Sequence, residues 1–351
     1  MATKEELLKA LSLSKGYEIE KLPRVPTGIL SLDLILGGGF PLRRISELYG
    51  WSLSGKTYLM LRTARIFLDR DPGNLVIWFD REGALEEDHL LSFKITPERF
   101  IHVPPSECAT ADDLLDKTFT VFDVIEKAGG NVMIAIDSVG AYVKGEKELS
   151  TSTEDQGRVA KSIKAYLRKL IPLLDKTEGS FALACNHLYL SPSTFGAQVK
   201  KSGGTGIDFL RHVGLALQAT KDSDVTDPSA KAYYLWAVAD KTRSLLGDRP
   251  LKTAVLIDKG GKGIHPLSGL YYYLALWEKL IPSNKNAFAR PTASDEPTFI
   301  FNLEEKKVRI APERDYERAL SFLEKYGPES GIPEEIITQA REYVEKYNFH
   351  S

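Results

Sequence analysis

The sequence predicts an α/β fold: a mostly parallel, twisted sheet with helices on both faces, a short N-terminal helix and a small C-terminal α/β domain. Three observations predict it. Leu75–Phe79, Val132–Ile136 and Phe181–Cys185 are continuous apolar runs of strand length, the pattern of strands covered on both faces. Helical patterns separate them, Ala111–Ala128 closed by Gly129-Gly130, and Gly157–Lys176 with Pro172 near its end. A glycine-rich turn joins another short strand, Ile45–Tyr49, to a helix over Thr57–Asp69.

The bulk properties narrow the function classes. A chain of 351 residues with 43% hydrophobic and 27% charged content is built like an ordinary globular protein, one large domain with appendages. Its net charge of −2 excludes a polycation, so any nucleic-acid contact must use local patches. Cys108 and Cys185 lie too far apart in sequence for a disulfide framework or a Cys-rich metal site, and are expected to fill core space in a reducing compartment. The N-terminal stretch lacks the apolar segment of a signal peptide, and no apolar run approaches the roughly 18 residues of a membrane span, so a cytoplasmic protein is expected.

In chain order, residues 2–13 form a short amphipathic helix whose leucines must dock on this chain or on a neighbouring copy, because so short a helix has no core of its own. A linker over 15–26 leads to a second short helix within 27–41, ended by Gly37-Gly38-Gly39. Asp71–Asn74 is a turn. Polar loops are expected at 141–156 and at 188–206, the latter without regular structure. Val213–Thr220, Tyr233–Ala239 and Thr253–Ile257 alternate more cleanly, which predicts partly antiparallel strands. Beyond Gly269 the pattern turns helical and ends in two charged helices, Glu313–Tyr326 and Pro333–Tyr347. The expected domains are 1–26, 27–268 and 269–351.

The chemistry begins at Gly50-Trp51-Ser52-Leu53-Ser54-Gly55-Lys56-Thr57, which reads G-x-x-x-x-G-K-T. Such a turn aims successive backbone N–H groups inward at the positive end of a helix dipole. Lys56 then reaches the β- and γ-phosphates of a nucleotide, and the Thr57 hydroxyl ligates Mg²⁺. About 80 residues on, four apolar residues precede Asp137, the second nucleotide signature, a carboxylate that meets Mg²⁺ or orders the catalytic water; the alternative is a helix-capping Asp. Glu82 follows the strand Leu75–Phe79, at the carboxyl edge where open α/β sheets bind ligands.

Segments in this order resemble RecA-type recombinases: VPTGILSLDLILGGGFPLRRISELYG, GWSLSGKT, LVIWFDREGAL, VMIAIDSVGA, ALACNHLY with KKSGGTG, and AVADKTRS, over about residues 24–285. They look closest to the tailed-phage (T4-type) branch. The resemblance implies an ATP- and Mg²⁺-using, DNA-stimulated ATPase. Glu82 falls where the family keeps the carboxylate that activates the attacking water. Asn186-His187 falls where the family senses the γ-phosphate, with His in place of the commoner Gln; a neutral core histidine is the alternative. The loops 141–156 and 188–206 resemble the family's two DNA-binding loops, with Lys144, Lys147, Lys200, Lys201, Gly203 and Gly204 as backbone contacts; solvated surface loops are the alternative. Lys241 and Arg243 fall where basic residues reach the neighbouring subunit's γ-phosphate. Tyr58 stands where a second Thr is common, and His89 where an aromatic often stacks on adenine.

The resemblance implies a recombinase filament on single-stranded DNA that pairs the bound strand with homologous duplex DNA in recombination, repair and recombination-dependent replication. Single-strand-binding and mediator proteins are its expected partners, with no membrane, in the host cytoplasm if phage-encoded. The rivals are a ring-forming RecA-fold motor, which normally carries a larger N-terminal domain, and a non-catalytic paralogue acting as mediator, against which intact Lys56 and Glu82 argue.

Overall fold

The computed structural model describes residues 3–11, 21–142, 153–191, 198–202, 204, 206–219, 232–243, 250–258, 264–270, 273–274, 299–303, 306–310 and 334–347. Lys144, Lys147, Gly203 and the expected helix Glu313–Tyr326 lie outside them. The elements run α1 (Lys4–Ala10), β1 (Arg24–Val25), α2 (Leu30–Leu36), β2 (Phe40–Pro41), β3 (Ile45–Gly50), α3 (Lys56–Arg70), β4 (Asn74–Asp80), α4 (Glu87–Ser92), β5 (Phe100–Val103), α5 (Ala111–Ala128) and β6 (Asn131–Asp137). Then follow α6 (Thr153–Asp175), β7 (Phe181–Ser191), β8 (Gln198–Lys201), α7 (Gly206–Leu210), β9 (Val213–Ala219), β10 (Ala232–Thr242), β11 (Lys252–Asp258), β12 (Phe299–Leu303), β13 (Lys306–Ile310) and α8 (Glu334–Tyr347).

The central sheet has nine strands in the order β11-β10-β9-β3-β7-β6-β4-β5, with β8 paired to β7 off this path. From β9 to β5 every neighbour is parallel, whereas β10 runs antiparallel to both β9 and β11. This is the predicted fold, including its partly antiparallel side. Two apolar layers cover the faces. One gathers α2 and α3 with Trp78 and Phe181; the other gathers α5 and α6 with Ile134 and Ala182. Side chains of successive strand residues go to opposite layers, which is why unbroken apolar runs mark the central strands. Both cysteines are free and buried, as expected.

Four expectations need correction. First, α6 begins at Thr153, inside the segment read as a loop. Second, β7 does not stop at Cys185: it continues to Ser191 and pairs antiparallel with β8, Tyr189 opposite Lys200 and Leu190 opposite Val199. The apolar run ends at Cys185, but a ladder needs backbone partners rather than apolar side chains. Third, β12 and β13 pair antiparallel where a helical pattern was read. Fourth, the 15–26 linker already contains β1, which pairs with β2.

Helix α1 buries none of its residues, and Leu7 on it and Leu11 just after it are exposed. Helix α8, by contrast, is docked. Its Tyr343 hydroxyl donates to Asp33 Oδ2 at 3.1 Å, and Arg62 Nη2 donates to the Tyr347 carbonyl at 2.9 Å. Asp33 is fully buried, and burial pushes its carboxyl up to about 7, against the hydrogen bonds it accepts from Thr27, Tyr343 and Gly28. Among the described residues no helix is long and apolar enough to cross a membrane.

Candidate nucleotide site and the loop behind it

Register places the site. Gly50 pairs with His187 across β3 and β7, and Asp80 with Asp137 across β4 and β6. The carboxyl ends of four parallel strands therefore deliver the phosphate loop, Glu82, Asp137 and His187 to one edge of the sheet.

The phosphate loop is tightly held. A side chain at Gly50 would stand 2.1 Å from the Leu217 carbonyl, so only glycine allows β3 to lie this close to β9 there. Leu53 and Gly55 both take positive φ, at 60° and 74°, turning the chain sharply into α3. Ser54 is buried, Trp51 half-buried, and Ser52 and Leu53 are exposed. Lys56 is buried, and its ammonium donates to the carbonyls of Gly50 at 3.3 Å and Trp51 at 2.8 Å. Burial lowers its pKa, opposed by the negative neighbours Asp137 and Glu82. Thr57 Oγ1 donates to Asp137 Oδ2 at 2.9 Å, which joins the two motifs predicted to share a metal. Burial raises the Asp137 carboxyl to about 6, with Glu82 and Asp80 as like charges beside it and the Thr57 hydrogen bond opposing. Among the described residues no group of three or more His, Cys, Asp or Glu forms a metal cage. One hydroxyl and one carboxylate are the oxygen donors suited to Mg²⁺, which takes its remaining ligands from phosphates and water. The residues present therefore fit a magnesium nucleotide.

Glu82 sits on a turn whose backbone donors are all assigned. The N–H groups of Arg81 and Glu82 point to the Asp137 carbonyl at 2.7 and 3.3 Å. Those of Gly83, Ala84 and Leu85 point to the carboxylate of Asp80, at 2.8, 3.3 and 3.1 Å. Asp80 is itself buried and lies 3.1 Å from His102 Nε2 on β5. The Glu82 carboxylate meets His187, Nε2 to Oε1 at 2.6 Å. That hydrogen bond holds Glu82 below the usual carboxylate range against the opposing effect of burial. Glu82 and His187, 105 positions apart, are thus direct partners.

Tyr58 packs its ring edge-on against Phe93, 5.0 Å between centroids, and its hydroxyl accepts from the Ile264 N–H at 3.0 Å. Its phenol ties α3 to other segments. His89 is exposed and its Nδ1 accepts from the Glu86 N–H at 3.0 Å, capping α4. Lys241 and Arg243 lie at the far edge of the sheet: Thr242 pairs with Val213, which pairs with Ser46, four residues and roughly 13 Å along β3 from Gly50. Lys241 Nζ and Arg243 Nη2 reach the carbonyls of Asp208 and Phe209. They do not join the phosphate loop of their own chain.

Behind the site lies a buried ionic cluster that sequence reading missed. Glu47, fully buried on β3, accepts from Asn186 Nδ2 at 2.9 Å, from Lys201 Nζ at 3.1 Å and from Arg211 Nη1 at 2.5 Å. Arg211 also pairs with Asp208 at 2.9 Å and Asp240 at 2.7 Å, and Lys201 with Asp208 at 2.6 Å. The Lys201 ammonium lies 3.6 Å from the centre of the Tyr49 ring, whose hydroxyl donates to Asp240 at 2.7 Å. The one signal was a Glu inside the apolar run of β3. Lys201 is accordingly not the free surface cation expected of a DNA-contacting residue; Lys200, its neighbour on β8, is exposed. Gly204 is half-buried with φ of 77°.

The sequence is similar to that of known proteins. A family model described as the RecA N-terminal domain matches residues 6–242. Protein RecA of Solidesulfovibrio magneticus is 29% identical over 213 residues, covering 59% of this chain and 57% of that protein. Protein RecA of Kineococcus radiotolerans is 28% identical over 70% of this chain and 68% of its own length. Protein RecA of Desulforapulum autotrophicum is 26% identical over 84% and 85%.

Proposed function

Because this chain belongs to the RecA family, we propose that it is a DNA-dependent ATPase and recombinase that assembles as a filament on single-stranded DNA and promotes homologous pairing. The observation that carries the reading is the Glu82–His187 contact of 2.6 Å. It joins the proposed water-activating carboxylate to the residue at the head of the second loop, so that loop and base share one hydrogen bond.

ATP with Mg²⁺, when bound, supplies the phosphoryl group and the charge that draws electrons from it. The chain does the rest. Gly50–Thr57 would cradle the phosphates with its backbone donors and Lys56, and Thr57 and Asp137 would hold the metal. Glu82, an ionised carboxylate held by His187 until the second loop moves to DNA, then accepts the proton of the attacking water and aims it in line. The stiff turn built on Asp80 limits its reorientation.

Two further observations support an assembly. Lys241 and Arg243 stand at the sheet edge opposite their own phosphate loop, the arrangement of basic fingers that act on a neighbour's nucleotide. At the same edge Phe209 is 68% exposed, and Leu7 on α1 and Leu11 just after it are uncovered, apolar surfaces suited to burial against another copy. A head-to-tail contact that does not close gives a filament. His187 in the family's Gln position favours the T4-type phage branch. The domain limits follow the earlier reading, with 27–268 as the ATPase core.

The test is ATP turnover with and without single-stranded DNA, with electron microscopy of the same mixtures. Stimulated turnover on helical filaments is expected. A monomer or ring with a DNA-indifferent rate would refute the reading.

A further inference from the structure

We propose that Ser202 is a positioning residue for ATP hydrolysis: it clamps the sensor strand so that His187 stays on Glu82 while the second loop is folded as a hairpin, and it releases that pair when the loop leaves for DNA. This rests on the recombinase reading above and deepens it by naming the residue through which loop and base communicate.

The geometry is specific. The Ser202 N–H donates to the His187 carbonyl at 2.8 Å, and the His187 N–H approaches Ser202 Oγ at 3.2 Å and Asn186 Oδ1 at 2.9 Å. The Ser202 hydroxyl donates to Asn186 Oδ1 at 2.8 Å. One serine thus holds the backbone of His187 from both sides. Asn186 cannot turn away, because its Nδ2 is committed to Glu47, a buried carboxylate that only accepts. The residue before Ser202 is Lys201, anchored on the same Glu47. Glu47, Asn186, Ser202 and Lys201 therefore form a closed circuit linking the strand before the phosphate loop, the sensor and the second loop.

Ser202 also meets the start of the first loop. A side chain at Gly140 would stand 2.2 Å from Ser202 Oγ, so the two segments are in direct contact and a glycine permits it. The circuit has a built-in release. If β8 leaves with the loop and takes Lys201 along, Arg211 keeps Glu47 paired, and the buried carboxylate is not stranded. Once Lys201 moves, Ser202 is carried off the sensor strand, and His187 and Glu82 lose their fixed register.

Ser202→Ala removes the hydroxyl and leaves the ionic cluster in place. Two readouts on the full chain test it. Amide hydrogen exchange without nucleotide reports the clamp, and ATP turnover with and without oligothymidylate reports the coupling. Losing the hydroxyl, with a net cost of about 1 kcal/mol, makes exchange at Ser202 and His187 about fivefold faster. The ratio of DNA-stimulated to DNA-free turnover falls by a similar factor, through a higher DNA-free rate. Thr120→Ala, exposed on α5 and outside both loops, leaves both readouts unchanged. If wild-type turnover ignores oligothymidylate, the recombinase reading and this inference fall together. If wild type is stimulated but Ser202→Ala keeps its ratio or its exchange rates, or Thr120→Ala shifts both equally, only the inference falls.

Discussion

Two groups of buried charges lie within this core, and they are built on opposite principles. At the nucleotide edge, Lys56 is held by carbonyls and Asp137 by a hydroxyl, and burial displaces the pKa of each toward its neutral form. Behind β3, each charge of the Glu47–Arg211–Lys201–Asp208–Asp240 cluster faces an opposite charge within 3.1 Å. Buried charge costs stability unless it is paired and hydrogen-bonded. The first group therefore carries a standing cost that a charged ligand can relieve, while the second is a structural joint. The contrast separates a site whose charges await an outside partner from a scaffold whose charges are already matched.

The sharpest way to break this contrast is Lys56→Met. Turnover should fall by roughly 10³-fold, as for loss of a major phosphate-stabilising group, while denaturant stability is unchanged or slightly raised because a desolvated charge has gone. A loss of stability comparable to a core deletion would make Lys56 structural and erase the distinction. Arg211→Met should do the reverse. It leaves Glu47 and Asp208 to share Lys201 and Asp240 with the Tyr49 hydroxyl, and breaking a buried pair costs about 3–5 kcal/mol. Urea denaturation would measure this, and a variant within about 0.5 kcal/mol of wild type would show that the cluster is dispensable.

Glu82→Gln tests the nucleotide edge more gently. The amide keeps the size of the side chain and a partner for His187, so nucleotide affinity should hold, while turnover falls about 10²-fold for want of a base. Equilibrium binding of an ATP analogue beside steady-state rates makes the separation. Lost affinity with a matching loss of rate would recast Glu82 as a binding residue.

The same contrast explains what was legible in the sequence. Lys56, Thr57 and Asp137 were readable because each belongs to a local backbone device, a glycine turn or a strand end, whose geometry is fixed by its immediate neighbours. The central strands were readable for a similar reason, since burial on both faces writes itself as an apolar run. The cluster was not readable. Glu47 finds Asn186, Lys201 and Arg211 from 139, 154 and 164 positions away, and no spacing rule joins them. The hairpin of β7 and β8 was hidden as well, because Asn186 and His187 break the apolar run of β7 and its ladder is made of backbone bonds. Lys201 shows the consequence: a lysine in a polar loop reads as a surface cation until its distant carboxylates are placed beside it.

The smallest effect concerns pH and the histidine next to Arg211. His212 is half-buried; burial first, then Arg24, Arg243, Arg44 and Lys241, push its pKa down to about 4. Between about pH 6.5 and 4 the unfolded chain binds a proton at this imidazole that the folded chain refuses, so this contribution to stability is present above pH 6.5 and is lost as pH falls through 4. Burial pushes Asp33 the other way, up to about 7, so its contribution is greatest at low pH and is lost as pH rises through 7. The two oppose each other across the same window. His212→Gln removes only the first, so its stability relative to wild type should improve by about 1 kcal/mol on going from pH 7 to pH 4.5, after allowance for solvent screening. Urea midpoints at the two pH values measure the difference, and parallel pH profiles for variant and wild type would mean that the positive charges around His212 are too well screened to keep it neutral.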